Sequence, residues 1–210
     1  PLHQVCEFSK ELSEGAWQEY RHLRYRFAGS LRPGSALAQV VAEGHERLRH
    51  YDTLHLRTEE DMRRWAARCP KLTKHCWPYR SVSEIASWIV RPDVQHLSFG
   101  KNGKNLYIVH QDQLSLAERL ALKDYHILTK YDLIDVNQWQ KKNQALAAIE
   151  MHLALLTDGI FIGTASSTLS VYVYESRFFR RVATRNESVV SVDYSSKDVT
   201  ACCQRGVPNT

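Results

Sequence analysis

Short apolar runs alternate along this chain with longer stretches whose apolar residues recur every three or four positions. The runs at 106–109, 125–128 and 160–162, and the segment 51–56 with Leu54 and Leu56 apolar, are expected as strands. Helical spacing marks 82–90, 114–122, 137–156 and 169 to about 176. On the 137–156 helix, Ala145, Leu146, Ala148, Ile149, His152, Leu153 and Leu156 form the expected inner side. A short helical or irregular piece is expected at 62–67, loop at 69–79 and turns at 96–104. Residues 189–194 give a diluted fifth strand. Strands that alternate with helices predict the α/β class, with a Rossmann-like parallel sheet and flanking helices.

Before the first strand the pattern is helical. Leu12, Ala16, Tyr20, Leu23 and Phe27 keep helical spacing, and Gly29-Ser30 and Arg32-Pro33-Gly34 break it. Ser35 is expected to cap a second helix with Ala36, Leu37, Val40, Val41 and Leu48 as apolar members. The expected division is a helical lead-in over 1–50, a Rossmann-like domain over 51–195 and a tail over 196–210. No internal repeat or low-complexity block interrupts it.

Composition narrows this picture little. Hydrophobic residues make up 43% and charged residues 24%, ordinary values for a globular domain. No apolar run is long enough for a transmembrane helix. The chain begins at Pro1, so a processed chain or a fragment is expected. A net charge of +5 suits an anionic ligand. Arg21, Arg24, Arg26 and Arg32 cluster, as do Arg63, Arg64, Arg68, Lys71 and Lys74; solvated helix faces are the expected reading, and nucleic-acid binding the weaker one. Cys6, Cys69, Cys76, Cys202 and Cys203 contain no C-x-x-C pair. Cys69 and Cys76 could close a small loop, and Asn186-Glu187-Ser188 is a glycosylation sequon; both suit a secretory lumen.

Candidate chemistry centres on Thr157-Asp-Gly-Ile-Phe-Ile-Gly-Thr-Ala-Ser-Ser-Thr-Leu-Ser170. A strand leads through Gly163 into a helix whose start carries Thr164, Ser166, Ser167 and Thr168. Hydroxyls and free N–H groups at a helix N-terminus suit an anion, phosphate above all. The stretch is neither a Walker loop nor G-x-G-x-x-G. His55 and Arg57 stand two apart at the carboxyl end of the first strand, where open α/β sheets bind ligands. Arg57 could grip phosphate, or pair with Glu59, Glu60 or Asp61. Asp112 could meet ribose or base groups, or cap the following helix. Asp158 belongs to a helix-to-strand turn. The ten histidines contain no H-E-x-x-H or H-x-x-x-H pair, and no G-x-S-x-G elbow is present, so metal-independent chemistry is expected.

Tyr51-Asp-Thr-Leu-His-Leu-Arg-Thr-Glu-Glu-Asp-Met62 resembles the H-L-R-x-E-x-D-M segment of the GDP-fucose protein O-fucosyltransferase family. Leu128-Thr-Lys130, Gln144-Ala-Leu-Ala-Ala-Ile149 and Asp158 to Ser170 resemble later landmarks of that family in the same order. The resemblance implies the carboxyl-terminal, donor-binding half of a GT-B glycosyltransferase; the sequon and cysteines suit a glycoprotein of the endoplasmic reticulum or Golgi lumen. The resemblance also implies GDP-fucose as donor substrate, no metal or other cofactor, and inverting transfer of fucose to a hydroxyl on a protein or glycan acceptor. By the same resemblance Arg57 would grip the diphosphate and stabilise departing GDP. His55 would sit beside the nucleotide, and Asp112 would touch the guanosine. Ser166, Ser167 and Thr168 would hold the donor from the helix start. The chain departs from the family at Leu169, where Phe is usual, and in lacking the amino-terminal Rossmann half ahead of residue 51. A fragment, a second chain or domain that completes the fold, and a degenerate non-catalytic binding or assembly subunit all remain open.

Overall fold

The structure, a computed structural model, describes residues 33–68, 79–91, 94, 99–100, 105–139, 143–164, 167–184 and 191–194, together with Gly15, Glu19 and Leu23. Five strands form one sheet: β1 Tyr51–His55, β2 Asn105–Val109, β3 Ile127–Thr129, β4 Phe161–Gly163 and β5 Ser191–Asp193. Their spatial order is β3-β2-β1-β4-β5, and every pairing is parallel. The helices are α1 Ser35–Leu48, α2 Glu60–Arg68, α3 Val82–Ile89, α4 Leu116–Ala121, α5 Lys130–Leu133, α6 Asn143–Leu156 and α7 Thr168–Thr184. A 3-10 turn covers Val136–Gln138. This is an α/β fold with a Rossmann-like parallel sheet.

Alternation along the strands sends side chains into two cores. Leu54, Leu106, Ile108 and Ile162 pack with Ile85, Trp88 and Ile89 of α3. Tyr51, Tyr107 and Phe161 pack with Val41 and Leu48 of α1, Ile149 and Leu153 of α6, and Val173 and Tyr174 of α7. With helices on both faces, β1 is buried along its whole length, its polar members Asp52, Thr53 and His55 included. α1, expected within the lead-in, lies against α6 in the second core. Gly44 makes that approach possible, since a Cβ there would stand 3.3 Å from Leu153.

Several expectations are corrected. The 137–156 helix is broken into the 3-10 turn, capped by Asp135 through Asn137 N–H, and α6, which starts at Asn143. Its inner side includes Glu150 and leaves Leu156 exposed. β3 starts two residues later than expected, and Tyr125 ahead of it packs its ring on Phe99. Ser35 lies inside α1, and Gly34 holds the N-cap position. α7 continues to Thr184, well past 176. Arg177, just past the expected end, is buried in α7, donating from Nη1 to Thr157 O and from Nη2 to Gly159 O. Two carbonyl acceptors in the turn leading into β4 substitute for water around the guanidinium.

All five cysteines, the sequon, the tail, Lys71, Lys74 and the four arginines between 21 and 32 lie outside the described residues. Arg63 and Arg64 pair with Glu60 on the exposed side of α2, a solvated helix face. Among the described residues no helix is long and apolar enough to cross a membrane.

Candidate functional site

The sheet order reverses between β1 and β4, and a crevice opens beyond the carboxyl ends at that switch point. A cavity of about 550 Å³ occupies it. The carboxyl ends of four strands and the segments after them contribute: His55 at the end of β1 with Arg57 and Glu59 beyond it; His110, Gln111 and Asp112 after β2; Lys130 and Tyr131 after β3; Ser167, Thr168 and Leu169 after β4. α6 closes one side with Leu146 and Glu150. His55, Arg57, Asp112, Ser167 and Thr168, expected from sequence, therefore share one cavity. Ser166 lies outside the described residues.

α7 starts at this cavity. Ser167 O accepts the first helical bond from Val171 N at 2.9 Å, which places Ser167 at the N-cap position. Among the described residues its Oγ makes no capping bond and has no hydrogen-bond partner, although the residue is only 2% exposed. An unpartnered buried hydroxyl is costly unless something outside the chain meets it. Thr168 beside it is exposed. Leu169, at the departure from the family pattern, also lines the cavity.

Arg57 follows the strand end and does not belong to β1. Its Nε stands 3.1 Å from Glu59 Oε2 without a well-aimed N–H, and its Nη2 donates to Asp61 at 3.3 Å. The surface pairing considered from sequence is therefore formed, while the guanidinium still lines the cavity. Asp112 does not cap α4. Ser115 does so, in a reciprocal capping box with Glu118, and this leaves the Asp112 carboxylate exposed at the cavity. Asp158 lies at the other edge of the sheet, accepting from Tyr51 N–H and contacting His50, as a turn residue would.

His55 is 5% exposed, and its Nδ1 lies 2.7 Å from Ser170 Oγ. Burial first, then the charges of Arg57 and His110, lower its pKa to about 3, so the ring is neutral at physiological pH. His110 Nδ1 donates to Asp112 O at 2.9 Å, and its Nε2 faces Thr58 Oγ1 at 2.9 Å.

Sequence reasoning missed the buried pair beneath the cavity. Lys130 Nζ donates to His110 O at 2.6 Å, Gln111 O at 2.9 Å and Glu150 Oε2 at 3.2 Å. All three ammonium protons are engaged, so Lys130 braces the 110–112 loop and has no proton left for a ligand. Its signals were its position directly after a strand and its place in the Leu128-Thr-Lys130 landmark. Glu150 sat unremarked between Ile149 and Leu153 on an apolar helix face.

Burial raises the Glu150 pKa to about 7, outweighing the attraction of Lys130. A raised carboxyl pKa stabilises the fold fully below the ordinary value near 4.5, and that contribution is lost as pH rises through about 7. His55 acts oppositely, its contribution being lost as pH falls from 6.5 towards 3. Glu150→Gln is therefore expected to gain stability relative to the wild type as pH rises from about 5 to about 7.5. Urea denaturation of both proteins across that range checks it; a difference independent of pH would show that Glu150 does not titrate there.

Comparison with protein-family models, curated proteins and solved structures found no match.

Proposed function

We propose that this cavity binds a nucleoside diphosphate sugar, GDP-fucose by the family resemblance, and that the domain serves as the donor half of a GT-B-type fucosyltransferase. The reading rests above all on one observation. The N-terminus of α7, with its Ser167 hydroxyl buried and unpartnered among the described residues, faces the same cavity as Arg57 at the switch point of the sheet.

The charge layout supports a ligand with two kinds of ends. Arg57, Ser167 and Thr168 offer donors to a diphosphate. Asp112, by contrast, offers an exposed carboxylate, which suits base N–H or sugar hydroxyl groups. A site with Glu59 and Glu150 also on its walls is a poor match for a bare polyanion. In transfer, negative charge builds on the departing diphosphate. Arg57 and the α7 N-terminus would stabilise it from fixed positions, the largest catalytic contribution this half could make. The acceptor is a hydroxyl on protein or glycan, and the secretory lumen is where such acceptors occur.

A second reading, a non-catalytic binding subunit, has the pairing of Arg57 with Glu59 and Asp61 in its favour, because grip on a phosphate would have to compete with it. Thermal denaturation with a nucleotide panel tests the ligand class. GDP and GDP-fucose should raise the midpoint in a concentration-dependent way, and UDP and ADP much less. No shift with any of them would remove the nucleotide-sugar reading.

A further inference from the structure

We propose that Ser170 is a positioning residue that holds His55 as its Nε2–H tautomer, so that His55 meets the donor as an uncharged hydrogen-bond donor. The proposal deepens the nucleotide-sugar reading and rests on it for the ligand, but the tautomer is a property of the free protein. Ser170 is fully buried in the first turn of α7. Its Oγ accepts from Thr164 N–H at 3.2 Å and lies 2.7 Å from His55 Nδ1. A hydroxyl has a single proton to give. Among the described residues, Nδ1 is the acceptor in place for it. Nδ1 then carries no proton, and in a neutral ring Nε2 must.

The fold makes room for this arrangement. A Cβ at Gly163 would collide with Ser170 Oγ, so the glycine lets the hydroxyl press against the turn after β4. The ring lines the cavity, and its Nε2 makes no hydrogen bond among the described residues. It shares that cavity with Arg57, Glu59, His110, Asp112, Lys130 and Glu150, the titratable and charged groups that could alter its state. Burial and the neighbouring Arg57 and His110 keep it unprotonated. A neutral donor adds a hydrogen bond to a phosphate or sugar oxygen without a second charge beside Arg57. Its contribution therefore survives at pH values where an imidazolium would be lost.

Nitrogen-15 spectra of the histidine rings in the ligand-free protein test the tautomer directly, with His55→Asn to assign the resonance. The expected result is an unprotonated Nδ1 and a protonated Nε2, unchanged from pH 5 to pH 8. A proton on Nδ1, or a doubly protonated ring in that range, would overturn the proposal even if GDP binds. Ser170→Ala should mix or invert the tautomers and weaken GDP binding roughly 3–10-fold. Retention of the wild-type ring state in Ser170→Ala would also overturn it. Absence of GDP binding to the wild type would count against the nucleotide reading and leave the ring assignment to be decided by the spectra.

Discussion

Replacing Lys130 with methionine is expected to lower folding stability by about 3–5 kcal/mol, the usual cost of breaking a buried ion pair from one side. Methionine fills similar volume but leaves the His110 and Gln111 carbonyls without their donor and Glu150 without its counter-charge. Glu150 can lessen the damage by taking up a proton, since burial already favours its neutral form. The loss should thus be smaller at pH 6 than at pH 8. Adding Glu150→Leu to Lys130→Met should recover part of it, because an apolar replacement of both partners leaves no buried charge. Urea unfolding at the two pH values measures all three effects. A Lys130→Met cost below about 1 kcal/mol would mean that the 110–112 loop does not depend on this brace.

The second large effect is on binding. Arg57→Ala is expected to weaken GDP binding by about 1.5–3 kcal/mol, the range for a hydrogen bond to a charged group. Stability should fall as well, because the exposed Asp61 pair contributes weakly but the nearly buried Glu59 carboxylate loses its counter-charge. Arg57→Lys should recover only part of the affinity, since an ammonium cannot reproduce a bidentate grip. Parallel calorimetry and thermal denaturation separate the two quantities. Equal affinity in Arg57→Ala and wild type would reduce Arg57 to a surface partner of Glu59 and Asp61.

Much of the fold was legible in the sequence because a buried parallel sheet has a simple signature. The 106–109 and 160–162 runs are buried on both faces and appear as continuous apolar segments at the right places, while β1, equally buried, carries Asp52, Thr53 and His55 and was legible only through Leu54 and Leu56. Boundaries failed where polar residues do structural work inside. Arg177 disguised the second half of α7, and Glu150 hid a buried charge in an apolar helix face. Such positions depend on partners that fold in from distant segments, as Thr157 and Gly159 do for Arg177, and Lys130 does for Glu150.

The site was half legible for the same reason. Strand ends and a hydroxyl-rich helix start mark themselves locally, so Arg57, Ser167 and Thr168 could be named. His55 could be named too, but not the state of its ring, which is set by Ser170 from 115 positions away. Asp112 had two local readings, and only the Ser115–Glu118 capping box decided against one of them.

The most direct test of the central claim is a calorimetric titration of the wild-type chain with GDP-fucose, repeated in the presence of saturating GDP. The account predicts saturable heat with one donor bound per chain, abolished by GDP and sharply reduced in Arg57→Ala. No measurable heat at millimolar GDP-fucose, or heat that GDP does not compete away, would contradict it.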